Sequence, residues 1–157
     1  MMAMVASPLT AQTVIKIGYV DYQRILKEWA SAKTRLNELE TKFDSENARL
    51  DGLEEELKKK KQEVDDKISL AGSEEQKKKM IEEYQVAVKS YLDTYKQSKE
   101  RMDQEKEKVL ESIYSELKTK IQAIAEKNGY SLILRKQDLV YAGDKYDITD
   151  EVISTLK

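Results

Sequence analysis

From about residue 21 to residue 128 the apolar residues fall on a seven-residue grid. Trp29, Leu36, Phe43, Leu50, Leu57, Val64 and Ala71 recur without a miss. A second row, Ile25, Ala32, Leu39 and Leu53, lies four residues before them or three after, and Glu46, Lys60 and Lys67 interrupt it. One full seam beside one leaky seam is the pattern of a helix that pairs lengthwise with another helix. No proline breaks it, so the pattern predicts one helix over residues 22–70. At 1.5 Å per residue that helix is roughly 70 Å long, which exceeds the diameter of a small domain.

The stretch Ala71-Gly72-Ser73-Glu74-Glu75 is a turn signal. Gly72 can end one helix in a left-handed conformation and Ser73 can cap the next, with Glu74 and Glu75 favouring its N-terminal dipole. A second helix then runs to Asn128-Gly129, with Ile81, Val88, Tyr95, Met102 and Val109 as its heptad row. In an antiparallel hairpin, facing residues have a constant index sum. The pairs Leu36/Val109, Phe43/Met102, Leu50/Tyr95, Leu57/Val88 and Val64/Ile81 all sum to 145, and half of that falls between Gly72 and Ser73. Five such layers of an antiparallel coiled coil are therefore expected. Nearer the base the row shifts to Leu110, Ile113, Leu117, Ile121 and Ile124, as a change of packing partner would require. Residues 96–108 hold Met102 as their only apolar anchor and are expected to be loosely paired and mobile.

Outside the helices the period falls to two. Residues 14–20 read as a strand, with Ile15, Ile17 and Tyr19 on one face and Val14 and Val20 on the other. Residues 130–135 and 138–142 read as two further short strands. Residues 147–156 read as a terminal helix capped by Asp147 or Thr149, with Ile148, Val152, Ile153 and Leu156 on its apolar side. Three short strands do not make a self-sufficient domain, and their open edges invite pairing. Self-association that completes the sheet from several copies is the economical solution.

Residues 1–13 carry no charge and are small and apolar, with Pro8 as a breaker and Ala11 as a plausible cleavage residue. They read as a signal-peptide remnant or a disordered tail, with the true start upstream. Composition then narrows the chemistry. The chain of 157 residues has no cysteine and no histidine. Thiolate nucleophiles, cysteine-ligated metals and the commonest general base are absent. The five glycines are too scattered for a phosphate loop. Clusters such as Glu54-Glu55-Glu56 diverge around a helix rather than converge on an ion. No enzyme, cofactor or metal is expected. The net charge of −2 argues against a nucleic-acid partner.

The segment Ile17-Gly-Tyr-Val-Asp-Tyr-Gln-Arg-Ile-Leu26 resembles the start of the Skp/OmpH-like periplasmic chaperone family. Gly129-Tyr-Ser-Leu-Ile-Leu134, Leu139-Val-Tyr-Ala142 and Asp147-Ile-Thr-Asp-Glu-Val-Ile153 resemble its end. The resemblance spans roughly residues 14–157. It implies an α+β fold: a long antiparallel coiled-coil hairpin arm on a small β body, completed by homotrimerisation into a β-barrel, jellyfish-like in shape. The parts are a body at 14–30 and 110–157 and an arm at 31–109 with its tip at 71–75. The implied function is an ATP-independent periplasmic holdase that encloses unfolded outer-membrane proteins. The alternative is a structural coiled-coil envelope scaffold without clients.

Certain surface features bear on that choice. Lys58, Lys59, Lys60, Lys61, Lys67, Lys77, Lys78 and Lys79 stand against five carboxylates in residues 58–79, a local charge of +3. An anionic membrane surface, lipopolysaccharide or an acidic client segment is the candidate partner, although a solvated helix face has the same composition. Tyr84 and Tyr91, with Met80, suit promiscuous client contact, but packing between the helices is the expectation favoured for both. Gly52 interrupts the first helix and is a candidate flex point, at a cost of about 1 kcal/mol against alanine.

Overall fold

The computed structural model describes residues 15–70 and 72–156. The expected signal remnant at 1–13, and the roles given to Val14 and Ala71, lie outside the described residues. The elements are β1 (Ile17–Val20), α1 (Tyr22–Glu28), α2 (Ala30–Leu70), α3 (Glu74–Asn128), β2 (Leu132–Arg135) and α4 (Thr149–Thr155), with short 3-10 turns at Lys136–Asp138 and Asp144–Tyr146. The chain divides into two compact units, residues 31–114 and the remainder.

In the terminal unit, β1 and β2 pair in parallel, with Ile17 opposite Leu132 and Val20 opposite Arg135. The Tyr19 carbonyl also accepts from the Ile148 N–H at 3.0 Å. α1 and α4 pack together. Asp21 caps α1 by accepting from the Arg24 N–H, and its own N–H donates to the Thr149 hydroxyl at 2.9 Å. Asp147 Oδ1 accepts from the Thr149 N–H at the start of α4. Of the two expected caps, Asp147 thus acts locally and Thr149 ties α4 to the chain after β1. Tyr19, Val20, Ile25, Trp29, Leu117, Ile121, Ile124, Ile148, Val152 and Ile153 are buried. Of the residues expected to share one face of the strand, Tyr19 is buried whereas Ile15 and Ile17 are exposed. Gly18 is closely hemmed: a Cβ there would lie 3.1 Å from the Tyr130 ring and 3.3 Å from Ile148.

Several local expectations are corrected. The helix over 22–70 is two helices, because Trp29 is extended (φ −78°, ψ 106°) and its N–H closes α1 on the Ile25 carbonyl. The indole is buried there, so burial of one large ring outweighs helical continuity. The third strand does not form: residues 139–143 are irregular and Val140 and Tyr141 are fully or almost fully exposed. Alternation gives this segment strand propensity, but among the described residues no strand pairs with it. Gly72 is not left-handed; Gly129 is, at φ +68°. There the Tyr130 N–H reaches back to the Ala125 carbonyl at 2.9 Å, the six-to-one bond that closes a helix at a left-handed glycine. Ser73 does cap α3, its hydroxyl accepting from the Gln76 N–H at 3.3 Å.

The other unit contains α2 and most of α3, which run antiparallel. On α2 the expected row is the inward one: Leu50 is buried, and Leu36, Phe43, Leu57 and Val64 are half-buried. On α3, Met102 is buried and Val109 and Val88 are half-buried, but Tyr95 and Ile81 are exposed. Ser98 is buried in their place, and Tyr84, Tyr91 and Thr94 are half-buried. The cross-helix pairs Arg35/Ser112, Lys42/Glu105, Arg49/Ser98 and Glu46/Arg101 share an index sum of 147. The expected 145 is thus met within two residues, and α3 turns its Tyr84–Tyr91–Ser98 row inward along the half nearer the tip. Small side chains at Ala87, Ser90, Thr94 and Ser98 allow that roll. The layers Leu50/Tyr95 and Val64/Ile81 are corrected accordingly.

Candidate functional surfaces

The distal half of the hairpin, residues 51–97, has a thin interior. None of its described residues is fully buried. Between the helices runs a groove of about 270 Å³, lined by Leu53, Glu56, Leu57 and Lys60 of α2 and by Ala87 and Tyr91 of α3. The Tyr91 hydroxyl is pushed to higher pKa, first by desolvation and then by the Glu54 charge. Its ring centroid lies 6.2 Å from that of Tyr95 at a tilt of 39°. Tyr84 and Tyr91 therefore sit at the helix pair rather than on an open face.

An open apolar face lies one row away. Ile81, Leu92 and Tyr95 are 42%, 57% and 42% exposed. With the half-buried Val88 they fall at i, i+7, i+11 and i+14, one side of a helix. The Lys99 ammonium stands 5.5 Å from the Tyr95 ring centroid. Sequence reasoning placed Ile81 and Tyr95 in the seam and passed over Leu92. The signal that could have found them is the competition between two adjacent rows on α3, settled by the small residues of the rival row.

The lysines of 58–79 split into two groups. Lys58 is held by Glu54 at 3.0 Å and Glu55 at 2.8 Å. The hydrogen bond that Lys58 donates to Glu55 raises its pKa first, and that bond likewise lowers the Glu55 carboxyl. Lys67 pairs with Glu63, and Lys77 and Lys78 pair with Glu74 and Glu82, each on its own helix. Lys59, Lys60, Lys61 and Lys79 are exposed and make no ion pair with any of the described residues. Gly52 lies in unbroken helix, with nothing within 4 Å of an added Cβ. Gly72 and Ser73 form the exposed turn.

Closer to residue 31 the helix pair carries a polar cluster. Glu46 of α2 accepts from Arg49 through both oxygens, Nε at 3.0 Å and Nη2 at 2.9 Å. Arg101 of α3 donates to the same Oε1 at 2.6 Å. The Ser98 hydroxyl accepts from Arg49 at 2.9 Å and from Arg101 at 3.3 Å. The Arg49 hydrogen bond, then that of Ser98, holds the Glu46 carboxyl down at about 2. Residues 96–108, expected to be loose, thus include two buried residues, Ser98 and Met102, and a cross-helix ion pair. Hydrogen bonds supply there what apolar anchors do not.

In the terminal unit several open or half-buried apolar residues gather around one hollow of about 340 Å³. Ile15, Ile17, Leu134, Leu139, Tyr141 and Tyr146 line it. β1 and β2 form a two-stranded sheet, so each keeps an outer edge without a strand partner among the described residues. Burial, and then the Asp147 charge, raise the pKa of the Tyr19 hydroxyl, so it stays protonated at neutral pH. Among the described residues no three carboxylates converge on a site that could hold a metal, and no helix is long and apolar enough to cross a membrane.

Comparison with known proteins agrees with this architecture. Residues 16–156 match a family model described as outer membrane protein (OmpH-like). The chain is 24% identical over 150 residues to the chaperone protein Skp of Vibrio cholerae serotype O1, covering 94% of this chain and 86% of that protein. It is 24% identical over 148 residues to the chaperone protein Skp of Yersinia enterocolitica, covering 90% and 86%. In fold it is similar to a putative OmpH-like outer membrane chaperone from Caulobacter crescentus, with a TM-score of 0.79 at 19% identity over 98% of this chain and 90% of that one. A family model matched over nearly the whole length, on a chain of long paired helices and a small sheet, places this chain in the OmpH-like family of non-enzymatic chaperones.

Proposed function

We propose that the protein is an ATP-independent holdase of the periplasm that keeps unfolded outer-membrane proteins from aggregating. The observation that carries this reading is the open apolar face of α3, Ile81, Leu92 and Tyr95, set on a helix pair with no fully buried described residue over 51–97. Weak apolar contacts spread along such a face hold many sequences without selecting one. Tyr84 and Tyr91 act mainly by packing the two helices.

Three copies complete one body, each supplying β1, β2 and the 139–143 segment. The outer edge of β2, which has no strand partner among the described residues, and the hollow lined by Ile17, Leu139 and Tyr141 support this, because such apolar surface favours burial against another strand. The unpaired lysines 59, 60, 61 and 79 face an anionic partner, a membrane or lipopolysaccharide surface, through an attraction that salt screens.

The test is whether the full chain keeps an unfolded outer-membrane porin soluble without ATP. Retention is expected at equimolar trimer. Failure at a several-fold excess would move the assignment to a structural envelope spacer. Replacing Ile81, Leu92 and Tyr95 together by serine is expected to lower client retention at least five-fold at unchanged helicity. Retention equal to the parent would remove that face from the binding surface.

A further inference from the structure

We propose that Glu46, Arg49, Ser98 and Arg101 form a latch that sets where opening of the helical hairpin stops. The inference does not use the chaperone reading. The cluster sits on a boundary. Ala32, Leu39, Leu50, Ser98, Met102 and Ile113 are the buried residues of the unit, and all lie at the latch or on the side of it away from the tip. Between 51 and 97 none of the described residues is buried. The tip half is held by partial burial and long-reach contacts, so its local opening free energy is low.

Geometry separates this cluster from three other cross-helix contacts of the pair. Lys42–Glu105 spans 3.9 Å, Arg35–Ser112 3.4 Å and Lys99–Asn47 3.3 Å, all exposed. At the latch one carboxylate oxygen takes two guanidinium groups at 2.9 and 2.6 Å, and a hydroxyl on a 1%-exposed serine accepts from both. The Glu46 side chain is only 19% exposed. Glu46 also occupies a position where the second heptad row of α2 should be apolar. A polar residue in a seam is satisfied in one alignment of the two helices and left without partners in any other, so it selects that alignment. Opening from the tip meets little resistance until it reaches this level. There the two bonds that cross between the helices, Arg101 to Glu46 and Arg49 to Ser98, would have to break together.

Hydrogen exchange of the full chain, followed by mass spectrometry, tests this. In the parent, peptides within 51–97 are expected to exchange at least ten-fold faster than those within 31–45 and 102–113. Glu46→Gln leaves two guanidinium groups facing each other and is expected to raise exchange in 31–45 and 102–113 about ten-fold, with circular dichroism unchanged. Should Glu46→Gln not fold, Ser98→Ala, which removes only the shared acceptor, is expected to raise the same peptides about three-fold. Sodium chloride at 0.5 M moves them in the same direction. Exchange in those peptides within two-fold of the parent for the folded variants would overturn the proposal. So would a uniform rise over the hairpin and residues 115–156, which is the signature of general destabilisation.

Discussion

The two halves of the hairpin are built from the same heptad alphabet and reach different states. Near residue 31, Ala32 and Ile113 are completely buried and Leu39 is 8% exposed. Toward the tip, Leu53, which continues the row of Ala32 and Leu39, and Leu57 and Val64 of the neighbouring row remain half-open. The difference lies partly in α2, whose second apolar row gives way to Lys60 and Lys67 toward the tip, and partly in what α3 presents to it. Around Leu110 and Ile113 the partner is branched and apolar, whereas at Ala87, Ser90, Thr94 and Ser98 it is small or hydroxylated. Apolar spacing on one helix therefore predicts pairing, while the volume offered by the other decides how dry the pair becomes.

The largest expected effect separates the two halves by cavity formation. Ile113→Ala removes a fully buried side chain and should cost about 3 kcal/mol, whereas Leu57→Ala, from a half-open groove, should cost under about 1 kcal/mol. Thermal or urea unfolding of the two variants compares them directly, and equal costs would erase the distinction. Acid gives the next effect. Glu46 is held at about 2 against an ordinary 4.5, by Arg49 and Ser98 with Arg101 facing it from α3. A depressed carboxyl stabilises the fold fully above about 4.5, and that contribution disappears as pH falls from 4.5 toward 2. Stability followed over pH 5 to 2.5 should fall less steeply in Glu46→Gln than in the parent. The smallest effect is a gain. Gly52→Ala places a Cβ in open space on an unbroken helix, and should stabilise the tip half by about 0.5–1 kcal/mol. Lower client retention in that variant would make Gly52 the flex point.

The sequence made the helices, their antiparallel sense, the Ser73 turn and the strand at Ile17–Val20 legible, because each rests on local periodicity or local capping. It left other features hidden for identifiable reasons. Two rows on α3 compete for the seam, and the choice depends on whether Ser98 finds partners, which it does in arginines 49 and 101, one of them on the opposite helix. Trp29 reads as a seam residue, yet it is extended and ends α1. Leu139-Val-Tyr-Ala142 has strand alternation, and a strand requires a neighbour that local pattern cannot supply. At the surfaces, the tip lysines were legible as a group. Their division into paired and unpaired members was not, since Lys58, Lys77 and Lys78 are sorted by which carboxylates lie three or four positions away in the folded helix.

The parallel pairing of β1 with β2 has a consequence for how the chain is made. Ile17 meets Leu132, the Asp21 N–H meets Thr149 and Arg24 meets Asp150. Every one of these contacts joins residues more than a hundred positions apart. Closing such a loop in a flexible chain costs about 4 kcal/mol of entropy. Zipping the hairpin from Ser73 outward brings the two ends together in small steps, so the helices shorten the search that the strands would otherwise face alone. The N-terminal strand emerges first and finds its partner last. Until residue 132 has been synthesised and the hairpin has closed, Ile15 and Ile17 are unpaired strand in a growing chain, and this chaperone is for that interval an unfolded protein in need of shelter.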